Sequence, residues 1–181
     1  MSLSVIMSGF GGQGVMSMGQ LLAYASLYEG KEATWLPSYG PEMRGGTANC
    51  TVIVADEPVA SPLVSRPDAC VVMNRPSLDR FEPTVKPGGL LLVNSSLCDK
   101  PPTRTDLRII SLPATDLAAE LGDTRVANMV ALGGLLAAEP VVTIASVVDA
   151  LKKALPPHRQ HLIPLNEKAL ELGAEKARAQ L

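Results

Sequence analysis

Aromatic side chains are scarce in this sequence: one tryptophan, three tyrosines and two phenylalanines, 3% of 181 residues. That leaves little material for the stacking platforms that hold single-stranded nucleic acid. Charge of either sign is modest. Sixteen basic and eighteen acidic residues give a net charge of −2, which argues against a general nucleic-acid or membrane-surface binder. Cysteine is rarer still. Cys50, Cys70 and Cys98 are scattered, no Cys-x-x-Cys occurs, and His158 and His161 lie far away in sequence. This spacing spells no zinc site, iron–sulfur cluster or disulfide framework, so no metal site is expected. Long hydrophobic runs are missing too. The apolar opening ends at Ser8-Gly9 without a basic leader or cleavage site, and Met129 to Ala138 stops at Glu139-Pro140, too short for a bilayer. The expectation is a cytoplasmic chain with no membrane and no nucleic-acid partner.

What is present suits one α/β domain over residues 1–181, with 46% hydrophobic residues to build its core. The chain is organised around its start. Leu3 to Ser8 reads as a buried strand, Gly9-Phe10-Gly11-Gly12-Gln13-Gly14 as a turn cleared of side chains, and Val15 opens a helical pattern. Met18, Leu21, Leu22, Ala25 and Tyr28 recur at the spacing of one buried helix face. Strand, glycine turn and helix make half of a βαβ unit, whose helix amides and dipole attract an anion such as a phosphate. Gly9-x-Gly11-x-x-Gly14 also satisfies the dinucleotide fingerprint, yet no carboxylate stands at the end of the second strand, Glu32 to Leu36, to hold a ribose. A phosphate ligand fits better than NAD. A tight turn that holds nothing satisfies the same pattern.

Further strands are expected over Thr47 to Ala55, Asp68 to Met73, Leu90 to Val93 and Leu107 to Leu112. The first of these alternates and breaks at Asp56-Glu57-Pro58, as a strand near an edge, antiparallel to its neighbour, would. Helices are expected from Asn74-Arg75-Pro76-Ser77 to about Val85, over Pro113 to Leu121, Val126 to Ala138 and Ile144 to Leu155, and from an Asn166 cap to about Gln180. Gly133-Gly134 weakens the third of these, so another backbone or a partner chain should pack closely there. The cations Lys152, Lys153, His158, Arg159 and His161 read as charges near a helix C-terminus. Pro37 to Gly46 is a long loop dense in proline and glycine that carries Tyr39, Glu42 and Arg44, and such loops tend to be functional. The resulting fold class is α/β: three layers, a mostly parallel Rossmann-like sheet, a glycine-rich loop after strand 1 and a C-terminal helix.

Two stretches together carry a resemblance. Gly9-Phe10-Gly11-Gly12-Gln13-Gly14-Val15, followed by Ser38-Tyr39-Gly40-Pro41-Glu42-Met43-Arg44-Gly45-Gly46-Thr47-Ala48-Asn49-Cys50, resembles the gamma subunit of 2-oxoacid:ferredoxin oxidoreductases. Leu165-Asn166-x-x-Ala169-x-x-x-Gly173 is similar to that family's tail. The resemblance runs the length of the chain. It implies a subunit of an anaerobic-type complex that decarboxylates a 2-oxoacid on thiamine diphosphate, passes electrons through iron–sulfur clusters to ferredoxin, and releases an acyl-CoA. It implies alpha and beta partners and a ferredoxin-like delta partner, with thiamine diphosphate, magnesium and the clusters held by those partners. This chain, inactive alone, would contribute Gly9, Gly11, Gly12, Gln13 and Gly14 to the coenzyme A pyrophosphate, with Tyr39, Glu42 and Arg44 near the coenzyme or the shared active site. The Ser-Tyr-Gly-Pro-Glu-Met-Arg wording leans toward the 2-oxoglutarate type, with indolepyruvate and pyruvate types of the same family as alternatives. A free-standing nucleotide-binding regulatory module is the reading of a different class.

Overall fold

A computed structural model of the chain describes residues 1–38 and 47–181. Its frame is a six-stranded sheet in the order β2-β3-β1-β4-β5-β6. β1 (Ser2–Phe10) is buried from Leu3 to Gly9, as a strand covered on both faces must be. β4 (Ala69–Val72) and β5 (Leu90–Asn94) are buried throughout for the same reason. β1 pairs in parallel with β4, β4 with β5, and β5 with β6 (Arg108–Leu112). On the other flank of β1 lies β3 (Thr47–Ala55), antiparallel both to β1 and to the edge strand β2 (Glu32–Ser38). The expected alternation holds in β3 as far as Val52, with Ala48, Cys50 and Val52 buried and Thr47, Asn49 and Thr51 half-buried, and lapses at Ile53, which is buried like its neighbours.

Alternate side chains feed two cores. Leu3, Val5, Met7, Val71, Leu90 and Leu92 face one, and Ile6, Cys70, Val72, Leu91 and Val93 face the other. The larger core lies beneath α1 (Val15–Tyr28), α3 (Ala114–Glu120), α4 (Ala127–Ala138), α5 (Ile144–Ala154) and α6 (Ile163–Arg178). The smaller one is closed by Leu78 and Phe81 of α2 (Arg75–Phe81), with Val85 beyond it. Helices on both faces of the sheet make the three layers. Each fully buried leucine or valine contributes about 1.5–3 kcal/mol to holding them together.

The glycine pair in α4 has its close neighbour within the chain. A Cβ on Gly133 would run into the carbonyl of Leu170 in α6, and one on Gly173 into the carbonyl of Val130. The two helices therefore meet backbone to backbone. Four expectations are corrected. The loop expected from Pro37 does not begin there, because Pro37 and Ser38 are the last residues of β2, opposite Cys50 and Asn49 of β3. The helix after Asn74 stops at Phe81 and passes into a 3-10 turn, Glu82–Thr84, because Pro83 has no N–H to continue the ladder. The last helix starts at Ile163, with a proline in its first turn, so Asn166 lies inside it and donates back to the Leu162 carbonyl at 2.8 Å. Tyr28 is exposed rather than buried, its ring faced by the Lys153 ammonium at 4.1 Å.

Candidate functional site

Between Phe10 and Val15 the chain turns on two left-handed glycines, Gly12 with φ 91° and Gly14 with φ 72°. Residues with a Cβ are penalised in that region. The first backbone hydrogen bond of α1 runs from Met18 N to Gly14 O at 2.9 Å, so the amides just before Met18 have no partner in the preceding turn. Among the described residues no side chain caps this helix, and its first turn has no acidic residue. No described residue compensates the positive end of the dipole, which is the physical condition for an anion site. Gly11 and Gly12 are exposed, and a Cβ on Gly12 would project into open space.

Gly9 and Gln13 do a different job. Gly9 is buried, and a Cβ there would meet Gln13 Oε1 at 2.5 Å and Met73 Cβ and Val15 Cγ2 at 2.9 Å. The Gln13 side chain folds back into the turn: Oε1 accepts from Phe10 N at 2.6 Å, and Nε2 donates to Met73 O at 3.4 Å. Met73 O also accepts from Asn94 Nδ2 at 3.1 Å, and the same amide reaches Thr115 Oγ1 at 3.0 Å. The carboxyl ends of β1, β4 and β5 are thus stitched into one rim. Asn128 of α4 completes it by donating from Nδ2 to Gly14 O at 3.2 Å.

A cleft of about 210 Å³ opens over this rim, lined by Gly12, Gln13, Leu97, Thr115, Thr124 and Arg125, with Ala127 below. It lies at the strands' carboxyl ends, where β1 sends one connection toward β2 and has β4 on its other side, the switch point at which open α/β sheets bind ligands. Arg125 supplies positive charge. Its guanidinium grips Asp123, with Nε at 3.0 and 3.1 Å and Nη2 at 2.8 Å, and this hydrogen bonding holds the Asp123 carboxyl below its ordinary range. Among the described residues, no carboxylate stands at the end of β2; Glu32 is at its start. With β3 between β1 and β2 as well, the ribose-binding arrangement of a dinucleotide site is not formed there.

A larger cavity, about 710 Å³, sits at the opposite end of the strands and is lined by Asp56, Glu57, Asp68 and Lys86 among others. Its carboxylates oppose an anion. Asp68 there accepts from Ser4 N and Oγ, each at 2.8 Å, and from Lys86 Nζ at 2.6 Å, so it is occupied in bracing β1. Burial pushes the thiols of Cys50 and Cys70 up to about 12 and that of Cys98 to about 11, which leaves them protonated near neutral pH. Tyr39, Glu42 and Arg44 lie outside the described residues. Sequence reasoning missed Asn94, Thr115, Arg125 and Asn128. Asn128 had a legible signal, being the one polar side chain between Val126 and Ala138.

Residues 4–176 match the family model described as pyruvate ferredoxin/flavodoxin oxidoreductase. The chain belongs to that family. It is similar to the ketoisovalerate oxidoreductase subunit VorA of Methanothermobacter marburgensis, 42% identical over 178 residues, which cover 98% of this chain and 37% of that one. The chain therefore spans little more than a third of the VorA protein. It is 37% identical to the 2-oxoglutarate synthase subunit KorC of Methanocaldococcus jannaschii over 160 residues, 86% of this chain and 85% of that one. Among solved structures, the gamma subunit of a keto/oxoacid ferredoxin oxidoreductase from Geobacter sulfurreducens superposes with a TM-score of 0.85 at 34% identity, covering 98% and 99% of the two chains. A 2-oxoglutarate:ferredoxin oxidoreductase from Magnetococcus marinus has the same fold over 98% of this chain and 31% of its own, with a TM-score of 0.89 at 23% identity. Within the family, the chain is of the gamma type. Among the described residues, no helix is long and apolar enough to cross a membrane.

Proposed function

We propose that this chain is the gamma subunit of a multi-subunit 2-oxoacid:ferredoxin oxidoreductase and that it binds coenzyme A at the glycine turn. The observation that carries the reading is the uncapped start of α1 beneath exposed Gly11 and Gly12, at the switch point of the sheet. Amides around Gly11, Gly12 and Gly14 take the pyrophosphate, and Gly9 and Gln13 shape the turn that presents them. Tyr39, Glu42 and Arg44, outside the described residues, are assigned in this reading to the active site or the coenzyme. Coenzyme A supplies the thiol that receives the acyl group, and the residues of this chain hold and orient it. The Magnetococcus protein was solved with 2-oxoglutarate, coenzyme A and succinyl-CoA bound, in keeping with this ligand class.

The whole of residues 1–181 forms one domain in this reading. Thiamine diphosphate, magnesium and the iron–sulfur clusters reside in alpha, beta and ferredoxin-like delta partners, ferredoxin accepts the electrons, and the complex is cytoplasmic. The loop wording and the KorC relative favour 2-oxoglutarate as the 2-oxoacid. The VorA relative favours a branched-chain 2-oxoacid as the second reading. Affinity purification of the tagged chain from its native host should bring down thiamine-binding and cluster-bearing chains with coenzyme A-dependent turnover, and comparing the two 2-oxoacids decides between the substrates. In the same complex, Gly12→Asp should weaken coenzyme A binding while assembly is retained. A chain that purifies alone, or a variant with unchanged affinity, overturns the corresponding half of the proposal.

A further inference from the structure

A second cleft, about 200 Å³, also has Arg125 in its lining. Ser17 from the first turn of α1, Arg159, Asn166 and Asp123 line it over apolar residues that include Leu21 and Met129, and the Asp123 carboxylate is taken up by the Arg125 guanidinium. Arg125 lines both clefts, which are therefore neighbours. Each alone is too small for a nucleotide-sized ligand. Together they reach the lower part of the range for small-molecule sites, about 300–1,000 Å³.

The two arginines differ in how they are engaged. Arg125 is paired with Asp123. Arg159 makes no ion pair with another described residue, and its backbone N–H is bonded to Pro156 O at 2.9 Å. The sequence places Arg159 with cations serving the C-terminus of α5. The structure gives that task to Gln160, whose Nε2 donates to Lys152 O at 2.9 Å and Leu155 O at 2.6 Å. The 3-10 turn Pro157–Leu162 instead carries Arg159 to the cleft beside α1. A planar guanidinium fork suits a phosphate in two-pronged geometry.

We propose that this second cleft holds a phosphomonoester, the ribose phosphate of coenzyme A, through Arg159 with Ser17 beside it. The proposal rests on the coenzyme reading of the glycine turn. Gly14 and Ser17 are three residues apart, about 4.5 Å along the helix axis, so a pyrophosphate over the turn and a phosphate near Ser17 are bridged by one sugar. Arg159 is then the residue that distinguishes coenzyme A from the same molecule without its ribose phosphate.

The test is calorimetric titration of the native complex with coenzyme A and with dephospho-coenzyme A, using wild type, Arg159→Ala, Arg159→Lys and Gly12→Asp. Arg159→Ala should raise the Kd for coenzyme A about tenfold, the effect of losing a charged hydrogen-bonded contact, and leave dephospho-coenzyme A within about twofold. Arg159→Lys, which keeps the charge and loses the fork, should fall between. Gly12→Asp should weaken both ligands. If Arg159→Ala alters both ligands equally, or neither, the phosphomonoester site is wrong, and the coenzyme reading still stands provided Gly12→Asp weakens both. If Gly12→Asp leaves both unchanged, the coenzyme reading fails and this inference fails with it.

Discussion

The side-chain amide of Asn128 donates to the carbonyl oxygen of Gly14 at 3.2 Å, across 114 positions of sequence. Through it, the first turn of α4 pins the residue that opens α1. The left-handed turn is therefore held by the larger core as well as by its own glycines. A Cβ at Gly14 would meet this amide, whereas one at Gly12 would have no described atom within 4 Å.

The two glycines should therefore differ in stability. Gly12→Ala should lose about 1–2 kcal/mol, the penalty of a left-handed L-residue. Gly14→Ala adds a collision with Asn128 and should lose about 2–5 kcal/mol. Urea denaturation measures both. Equal losses would show that Asn128 yields without cost and does not fix the turn.

A similar contrast applies inside α4. Gly133→Ala must push against the backbone of α6 at Leu170, while the close neighbours of Gly134→Ala are the methyl ends of Leu112 and Leu92, at 2.6 and 2.9 Å. Backbone cannot rotate aside, and leucine methyls can. The expected loss is about 3 kcal/mol or more for Gly133→Ala. For Gly134→Ala it is about 1 kcal/mol or less, since alanine recovers helix propensity. A Gly133→Ala variant that melts with wild type would contradict the backbone contact between α4 and α6.

Glu29, after the end of α1, ties that helix to α5. Its Oε1 accepts from Thr143 N at 2.7 Å, Thr143 Oγ1 at 3.0 Å and Ser146 Oγ at 2.7 Å. Burial disfavours its charge, yet these hydrogen bonds and nearby Lys31 outweigh burial and hold the carboxyl below its ordinary value of 4.5. A depressed folded-state pKa stabilises the protein above the ordinary value, and the contribution fades as pH falls through the folded one. The stability advantage of wild type over Glu29→Gln should accordingly be full at neutral pH and shrink below about pH 4.5. An advantage constant from neutral pH down to acid unfolding would deny the shift.

Much of the fold is legible because it is written in local pattern. β1, β4 and β5 are short apolar runs between turn signals, and β3 shows its two faces residue by residue. Helix boundaries were less legible where proline acts in two ways. Pro83 ended α2 early, while Pro164 sits comfortably in the first turn of α6. The glycine turn could be read from its residues, and its supports could not. Asn94, Thr115 and Asn128 reach it from positions distant in sequence, and no spacing rule links such partners. Arg159 shows the same limit: sequence placed it at a helix end, and the fold carried it to a cleft on α1.

In the proposed function the backbone amides at the start of α1 hold the coenzyme. Amide hydrogen exchange of the native complex, with and without coenzyme A, tests it directly. Strong slowing is expected in the peptide covering Gly11 to Met18 when coenzyme A is added, lost in Gly12→Asp, with the buried strand β4 unchanged. Protection elsewhere in the complex, with the amides of Gly11 to Met18 exchanging as fast as before, would contradict it.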